Sequence, residues 1–214
     1  MKVGREPVVK AGLKLLNEVG LDGLTLRAIA AELGVRAPTL YWRFKNKQDL
    51  IDEMATQVLQ QWSADLTGFA PDVNWQQVAE HVWTSLRRAL LRHRDGARMV
   101  AGSYLTDSGL YERMEAMLAL YEQAGFSLQE ATDCLGTLYA YVIGFTIEEQ
   151  AVVTPSGERN PQYDLAKRAE RLDKSPYPRT KEVGAMLFDG YDARFERGLR
   201  AIIAGFTAAN RLPK

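Results

Sequence analysis

One cysteine, two histidines and no long apolar run are what this 214-residue chain offers, and each scarcity excludes something. A lone cysteine, Cys134, cannot close an internal disulfide, and with two histidines it cannot complete the four-ligand set of a closed zinc site. No cofactor is expected, and no closed zinc site can form. The longest uncharged stretch, Cys134 to Ile147, is 14 residues, short of the roughly 18 needed to span a bilayer. Met1 to Glu6 are polar and charged, with no apolar core of a secretory signal. The expectation is a soluble cytoplasmic protein with no membrane partner. Strand-like alternation is absent too. Apolar residues make up 46% and charged residues 25%, ordinary globular proportions.

Charge is balanced overall, with 27 basic and 27 acidic residues, but it is not evenly spread. Residues 1–50 hold nine Lys/Arg against five Asp/Glu, so the remainder is acidic by the same excess of four. A basic end on a neutral molecule is the electrostatic footprint of a polyanion-binding surface, or else a solvated face.

Apolar residues recur at intervals of three and four throughout, which predicts an all-α fold. A first helix is expected over 6–20, with Val8, Ala11, Leu15 and Val19 on one face. Thr25 caps a short second helix through Leu33, and a third spans about 36–44, with Pro38 in its first turn. Asn46 caps a long fourth helix that closes near Gly68 and Pro71. Asn74 with Gln77 opens a fifth, Asp95 caps a sixth, and the seventh covers about 110–124. Ser127 with Glu130 forms a capping box for the eighth. A proline-rich stretch, 154–179, reads as a loop carrying one solvated helix near 164–172. Helices near 180–188 and 191–210 finish the chain.

The stretch from Thr25 to Phe44 reads as helix–turn–helix. Ala30 is small where two helices pass closely, and Gly34, four residues on, frees the backbone for a tight turn. Ile29, Leu33, Val35 and Leu40 form the shared apolar seam. Arg36, Ala37, Thr39, Tyr41 and Arg43 are left to project outward. In such a unit the second helix enters the major groove and reads base edges. Arg36 and Arg43 offer bidentate donors to guanine, and Ala37 or Pro38 can touch a thymine methyl. Thr25, Thr39, Tyr41 and Lys47 suit phosphate oxygens. In the alternative of a plain helical hairpin, Tyr41 and Trp42 would be packing residues.

This stretch resembles the DNA-binding domain of the tetracycline-repressor (TetR) family. Thr-Leu-Tyr at 39–41, Phe44, Lys47 and Leu50 sit as that family places them. The resemblance implies a three-helix head on a two-fold dimer, with Thr25, Arg27, Ala37, Pro38, Thr39, Tyr41, Arg43 and Lys47 at DNA-contacting positions. Glutamine and histidine stand at the Ala37 and Arg43 positions in the tetracycline repressors themselves, so a different operator is expected. The likeness continues through Leu91–Arg98, Gly125–Leu128 and Leu138–Gln150. It implies a helix–turn–helix domain over 1–50, a connecting helix to about 67, and a ligand-binding and dimerisation domain over 68–214. The partners it implies are double-stranded operator DNA, a second copy of the chain and a small-molecule effector.

Periodicity supports the dimer independently. The last helix carries a stripe of Tyr191, Phe195, Leu199, Ile202, Ile203 and Phe206. The eighth is apolar nearly all round and needs cover on both sides. Met99, Tyr104, Met114, Met117, Tyr121 and Tyr139 are either core or pocket wall. The resemblance places Val82, Leu86, Val100, Ser103, Tyr104, Met114, Met117, Leu135 and Tyr139 on the effector tunnel, and matches Glu148 to an acidic residue near the bound metal. The magnesium-ligating histidine of the tetracycline repressors is replaced here by Val100. Their pocket histidine and asparagine are replaced by Ser63 and Val82, with Trp62 beside Ser63. A valine cannot ligate a metal, so the expected effector is largely apolar and is not a tetracycline–magnesium chelate. The expected function is a ligand-responsive regulator of transcription, a repressor released from a palindromic operator, and not an enzyme. Two other readings use the same residues: a helical partner-binding protein with a vestigial head, and an enzyme using Glu148 or Glu149 with His93.

Overall fold

Eleven α-helices and no strand make up the described residues of the computed structural model, which are 4–64, 66, 74–105, 107–173 and 176–210. They are α1 (Arg5–Gly23), α2 (Leu26–Glu32), α3 (Ala37–Tyr41), α4 (Lys47–Ala64), α5 (Trp75–Leu91), α6 (Gly96–Val100), α7 (Gly109–Gln123), α8 (Leu128–Val152), α9 (Leu165–Leu172), α10 (Pro178–Phe188) and α11 (Tyr191–Asn210). Gly68 and Pro71, expected to close α4, lie outside the described residues, and Ala64 is the last residue of that helix.

Local chemistry sets most helix starts. Thr25 accepts from the Ala28 amide at 3.1 Å, and Asn46 from the Asp49 amide at 2.9 Å. Asn74 with Gln77 and Ser127 with Glu130 form reciprocal capping boxes. Asp95 departs from its expected role. Its backbone is left-handed (φ 55°), and its side chain makes no cap hydrogen bond to α6. Instead Oδ2 accepts from the Leu21 amide of α1 at 2.8 Å. Val19, expected in the buried stripe of α1, is exposed. The following Gly20 breaks the helix (φ 74°, ψ 173°) and turns the chain out of register. A Cβ at Gly20 would stand 2.9 Å from Asp95 Oδ2, so the kink is also a point of close approach between α1 and Asp95.

One apolar core runs from Val8 of α1 to Ile203 of α11. α1, α2 and α3 form the N-terminal head. α4 packs on α1 at one end and on α5, α6 and α7 at the other. α8 lies against α5, α6, α7 and α11. Phe195, Leu199 and Ile203 bury the α11 stripe, with Tyr191, Ile202 and Phe206 half-buried. Gly198 lets Tyr141 of α8 come close, its hydroxyl occupying the place a Cβ would take. No Cβ at Gly136, Gly144 or Gly205 would meet another part of the chain, and Ala140, Ala201, Ala204 and Ala208 beside them are exposed. The α8 and α11 faces made by these small residues are uncovered in the single chain.

α5 carries Arg87 into the middle of the bundle. Its Nε and Nη2 donate to the Glu149 carboxylate of α8 at 2.8 and 2.6 Å, and Nη1 donates to Asp192 of α11 at 2.8 Å. The guanidinium also lies over the Phe195 ring at 4.9 Å.

Candidate nucleic-acid interface and effector region

The head holds its reading surface by backbone geometry. The Val35 amide donates to Ala30 O at 2.9 Å and the Gly34 amide to Ala31 O at 3.1 Å, closing the turn between α2 and α3. Gly34 has φ 64°, and a Cβ there would touch nothing, so glycine is required for conformation alone. Ala30, Ile29 and Leu40 are buried as the seam, and Leu33 and Val35 are partly buried against it. α3 is shorter than expected. It ends at Tyr41, and Trp42 and Arg43 continue in a tight turn in which the Phe44 amide donates to Leu40 O at 2.9 Å.

Charge sorts the head into two faces. On α1, Lys10 pairs with Glu6 at 2.6 Å and Lys14 with Glu32 at 2.5 Å, while Arg5 pairs with Glu53. Arg27, Arg36, Arg43 and Lys45 are exposed, and among the described residues their side chains have no ion pair or hydrogen bond. Thr25 and Pro38 are exposed, Ala37 and Thr39 partly so, and Tyr41 is 53% exposed. The Thr25 hydroxyl accepts as a cap and keeps its proton to donate. Trp42 is 90% exposed, so neither it nor Tyr41 packs as a plain helical hairpin would require. Its place directly beside Tyr41 was the available signal, and its indole N–H is a further free donor. Lys47 differs from the others: its Nζ donates to Leu21 O at 2.6 Å.

Lys47 thereby joins a belt tying head to core. Leu21 receives Lys47 on its carbonyl and gives its amide to Asp95. Arg94 donates from its amide to Asn17 at 2.8 Å and from Nη1 to Glu18 O at 2.9 Å. Arg98 of α6 pairs with Asp22 at 3.1 Å and Asp95 at 3.3 Å. α6 is therefore fastened to the end of α1 as well as packed on α4.

Of the residues expected on an effector tunnel, Val82, Leu86, Val100 and Leu135 are buried in the continuous core cluster that runs from α1 to α11, with Met117 packed against it. Ser103 is half-buried and spends its hydroxyl proton on Met99 O at 2.6 Å. Tyr104 is 72% and Met114 53% exposed, and Tyr139 also lies at the surface. Glu148 is separated from the cluster. It lines a groove of about 420 Å³ with Tyr141, Phe145, Phe188, Tyr191 and Arg194. Glu149 is committed to Arg87, and His93 is half-buried and held below the ordinary histidine range by burial and by Arg92. An acid–base pair of His93 with Glu149 thus has no free carboxylate to work with. Among the described residues no cluster of three metal-ligating side chains occurs, and no helix is long and apolar enough to cross a membrane.

A turn-linked helix pair presenting unpaired cations, mounted on a helical bundle with an apolar interior, defines a helix–turn–helix DNA-binding regulator. The description "Bacterial regulatory proteins, tetR family" matches residues 8–54, and "Tetracyclin repressor-like, C-terminal domain" matches residues 68–209. The tetracycline repressor protein class C of Escherichia coli is 37% identical over 207 residues, covering 95% of this chain and 90% of the relative. A possible TetR family transcriptional regulator from Streptomyces coelicolor A3(2) superposes with a TM-score of 0.83 at 35% identity, covering 96% of this chain and all of that one (100%). A TetR variant from Acinetobacter baumannii AYE in complex with minocycline superposes with a TM-score of 0.74 at 30% identity, covering 99% and 100% of the two chains. The chain belongs to the tetR family of bacterial regulatory proteins and is a ligand-responsive DNA-binding transcriptional regulator, of a family whose members are not enzymes.

Proposed function

We propose that this protein is a cytoplasmic repressor that binds a palindromic operator as a homodimer and leaves it when an apolar effector enters the core. The observation that carries the reading is the sorting of charge on the head, where α1 cations are paired and those of α2, α3 and the following turn are free. Arg36 and Arg43 read base edges with Ala37 and Pro38. Thr25, Arg27, Thr39 and Tyr41 hold phosphates, joined by Trp42. Lys47 reaches phosphate only if it releases Leu21 O, so its first role is to brace the head. The small-residue faces of α8 and α11 form the dimer contact, as two-fold symmetric helix pairs do. The domains divide as head (1–50), connecting α4 and regulatory bundle (68–214).

Gel shift with palindromic DNA selected from a random pool tests this reading. The expected complex holds two chains, with half-sites one helical turn, about 34–36 Å, apart. Failure to form a sequence-specific complex at any salt concentration rejects it.

The effector binds among Val82, Leu86, Val100, Met117 and Leu135, with Ser103 near the α6 end. Tyr104, Met114, Tyr139 and Glu148 reach a ligand only at the rim, or where a second subunit approaches. Movement of α6 is passed to α1 through Asp95, Arg94 and Arg98, and to α4 by packing, so the two heads change their spacing. Coupling of this kind typically changes affinity about 5–150-fold. Val100 and Val82 leave a tetracycline–magnesium chelate without its polar partners, each unpaired group costing about 1–3 kcal/mol. Tetracycline with magnesium is therefore expected to leave the operator complex intact in the same gel shift. Release at micromolar tetracycline would refute the apolar site.

A further inference from the structure

Four buried side-chain polar atoms among the described residues lack a well-formed hydrogen bond, and two of them lie together in the core. The indole nitrogen of Trp83 and the hydroxyl of Tyr121 are both shut off from solvent, and they come close to each other and to Cys134 without reaching hydrogen-bond geometry. Both residues are more than nine-tenths buried. Buried polar groups are almost always paired, so each exception calls for an explanation. Trp62 shows the ordinary arrangement, its indole donating to Ser85 Oγ at 2.9 Å.

The two orphaned atoms converge. Trp83 comes from α5 and Tyr121 from α7, and Cys134 of α8 joins them. Burial raises the Tyr121 phenol well above the tyrosine range, and the neighbouring Cys134 raises it further, while Trp83 opposes them. Burial likewise pushes the Cys134 thiol up to about 11. At neutral pH the spot is uncharged and offers an N–H, an O–H and a weak S–H. Trp75 and Phe126 wall it with rings 5.1 and 5.3 Å from Tyr121. Leu86 lies one turn along α5 from Trp83, and Val82 and Leu135 belong to the same buried core as Trp83, Tyr121 and Cys134. Tyr121 is also the one fully buried side chain on α7 among the described residues, so this spot is where that helix is anchored.

We propose that Trp83 and Tyr121 form the polar recognition pair of the effector site, together donating to a carbonyl oxygen on a flat, otherwise apolar ligand admitted between α5, α7 and α8. Two convergent donors match a ketone or quinone oxygen, which has two lone pairs and no proton. The aromatic wall matches a flat ring system, and the absence of an anion at the spot disfavours a cation. The proposal rests on the apolar-effector reading above.

Matched ring systems with and without the carbonyl test it on the full-length protein. Fluorenone with fluorene and xanthone with xanthene are titrated by quenching of tryptophan fluorescence and by thermal shift. At least one ketone is expected to bind about tenfold more tightly than its carbon- or ether-only counterpart. Tyr121→Phe, which keeps the ring, and Trp83→Phe, which keeps an aromatic ring but loses the N–H, should each erase most of the ketone-over-counterpart preference. Without ligand Tyr121→Phe should melt no lower than the parent, whereas Trp83→Phe should melt lower, because the smaller ring leaves a cavity. A variant that does melt lower is judged by its ketone-to-counterpart ratio, which a loss of folding does not alter. Equal binding of ketone and counterpart by the parent, or a preference that survives both variants, overturns the recognition pair and leaves the apolar site standing. If none of the four compounds binds, the apolar-effector reading falls and the pair falls with it.

Discussion

Arg87→Ala is expected to lower the melting temperature by about 10 °C at fixed protein concentration. Arg87 is 3% exposed and its partner Glu149 is 7% exposed, so removing the guanidinium, which lies over Phe145 and Phe195, leaves a buried carboxylate without its counter-charge. Breaking one side of a buried pair typically costs about 3–5 kcal/mol, and each kcal/mol is worth roughly 2–4 °C in a domain of this size. Burial works against the guanidinium's charge, but the hydrogen bonds to Glu149 and Asp192 outweigh it and hold its pKa above the ordinary arginine value. Removing both charges differs in kind from removing one. Arg87→Met combined with Glu149→Leu fills the same space with apolar atoms and should recover most of the loss. Asp192→Asn should cost under about 1 kcal/mol, because that carboxylate is almost wholly in water. Thermal and urea unfolding measure all three. An Arg87→Ala protein as stable as the parent would show that the pair contributes nothing to joining α5, α8 and α11.

That pair also marks where the sequence stops being legible. The capping residues Thr25, Asn46, Asn74 and Ser127 act on amides three residues away, so their signals are contained in short windows, and the helices begin where those windows put them. The turn at Gly34 is equally local, as is the exposure of Arg36 and Arg43 opposite a buried Leu40. Arg87 and Glu149 are 62 residues apart, and each alone reads as a solvated charge on a helix. The overlooked signal is phase: Arg87 follows Trp83 by four positions and precedes Leu90 by three, which puts it on the apolar face of α5. Asp95 departs from the cap role for a related reason. It stands where a cap belongs, but Gly96 is packed against Leu90 O, and the chain enters α6 through a left-handed residue whose carboxylate is already engaged by α1. The same long-range demand holds Lys47 on the Leu21 carbonyl. The Glu148 assignment came from the resemblance alone, and a register along α8 does not say which side of the helix the cluster of Val82 and Val100 will lie on.

Operator affinity is expected to fall about 10³–10⁵-fold between 50 and 200 mM salt if the dimer neutralises roughly 6–10 phosphates. The chain as a whole is neutral, so this dependence has to come from the free cations of the two heads and not from net charge. Each head supplies Arg27, Arg36, Arg43 and Lys45 without internal partners. Lys10 and Lys14 are already neutralised and should contribute little. Lys14→Ala should therefore leave the slope of log affinity against log salt nearly unchanged, whereas Arg27→Ala should reduce it by about one per head. Arg43→Ala separates two roles at one position. As a base reader it forfeits about 1–3 kcal/mol per head and relaxes preference at one base pair of each half-site, while the dimer persists in sedimentation. As a phosphate contact it weakens binding to every sequence alike and flattens the salt slope instead. A shallow slope in the parent, or one that Lys14→Ala reduces as much as Arg27→Ala, would mean that α2 and α3 do not face the duplex.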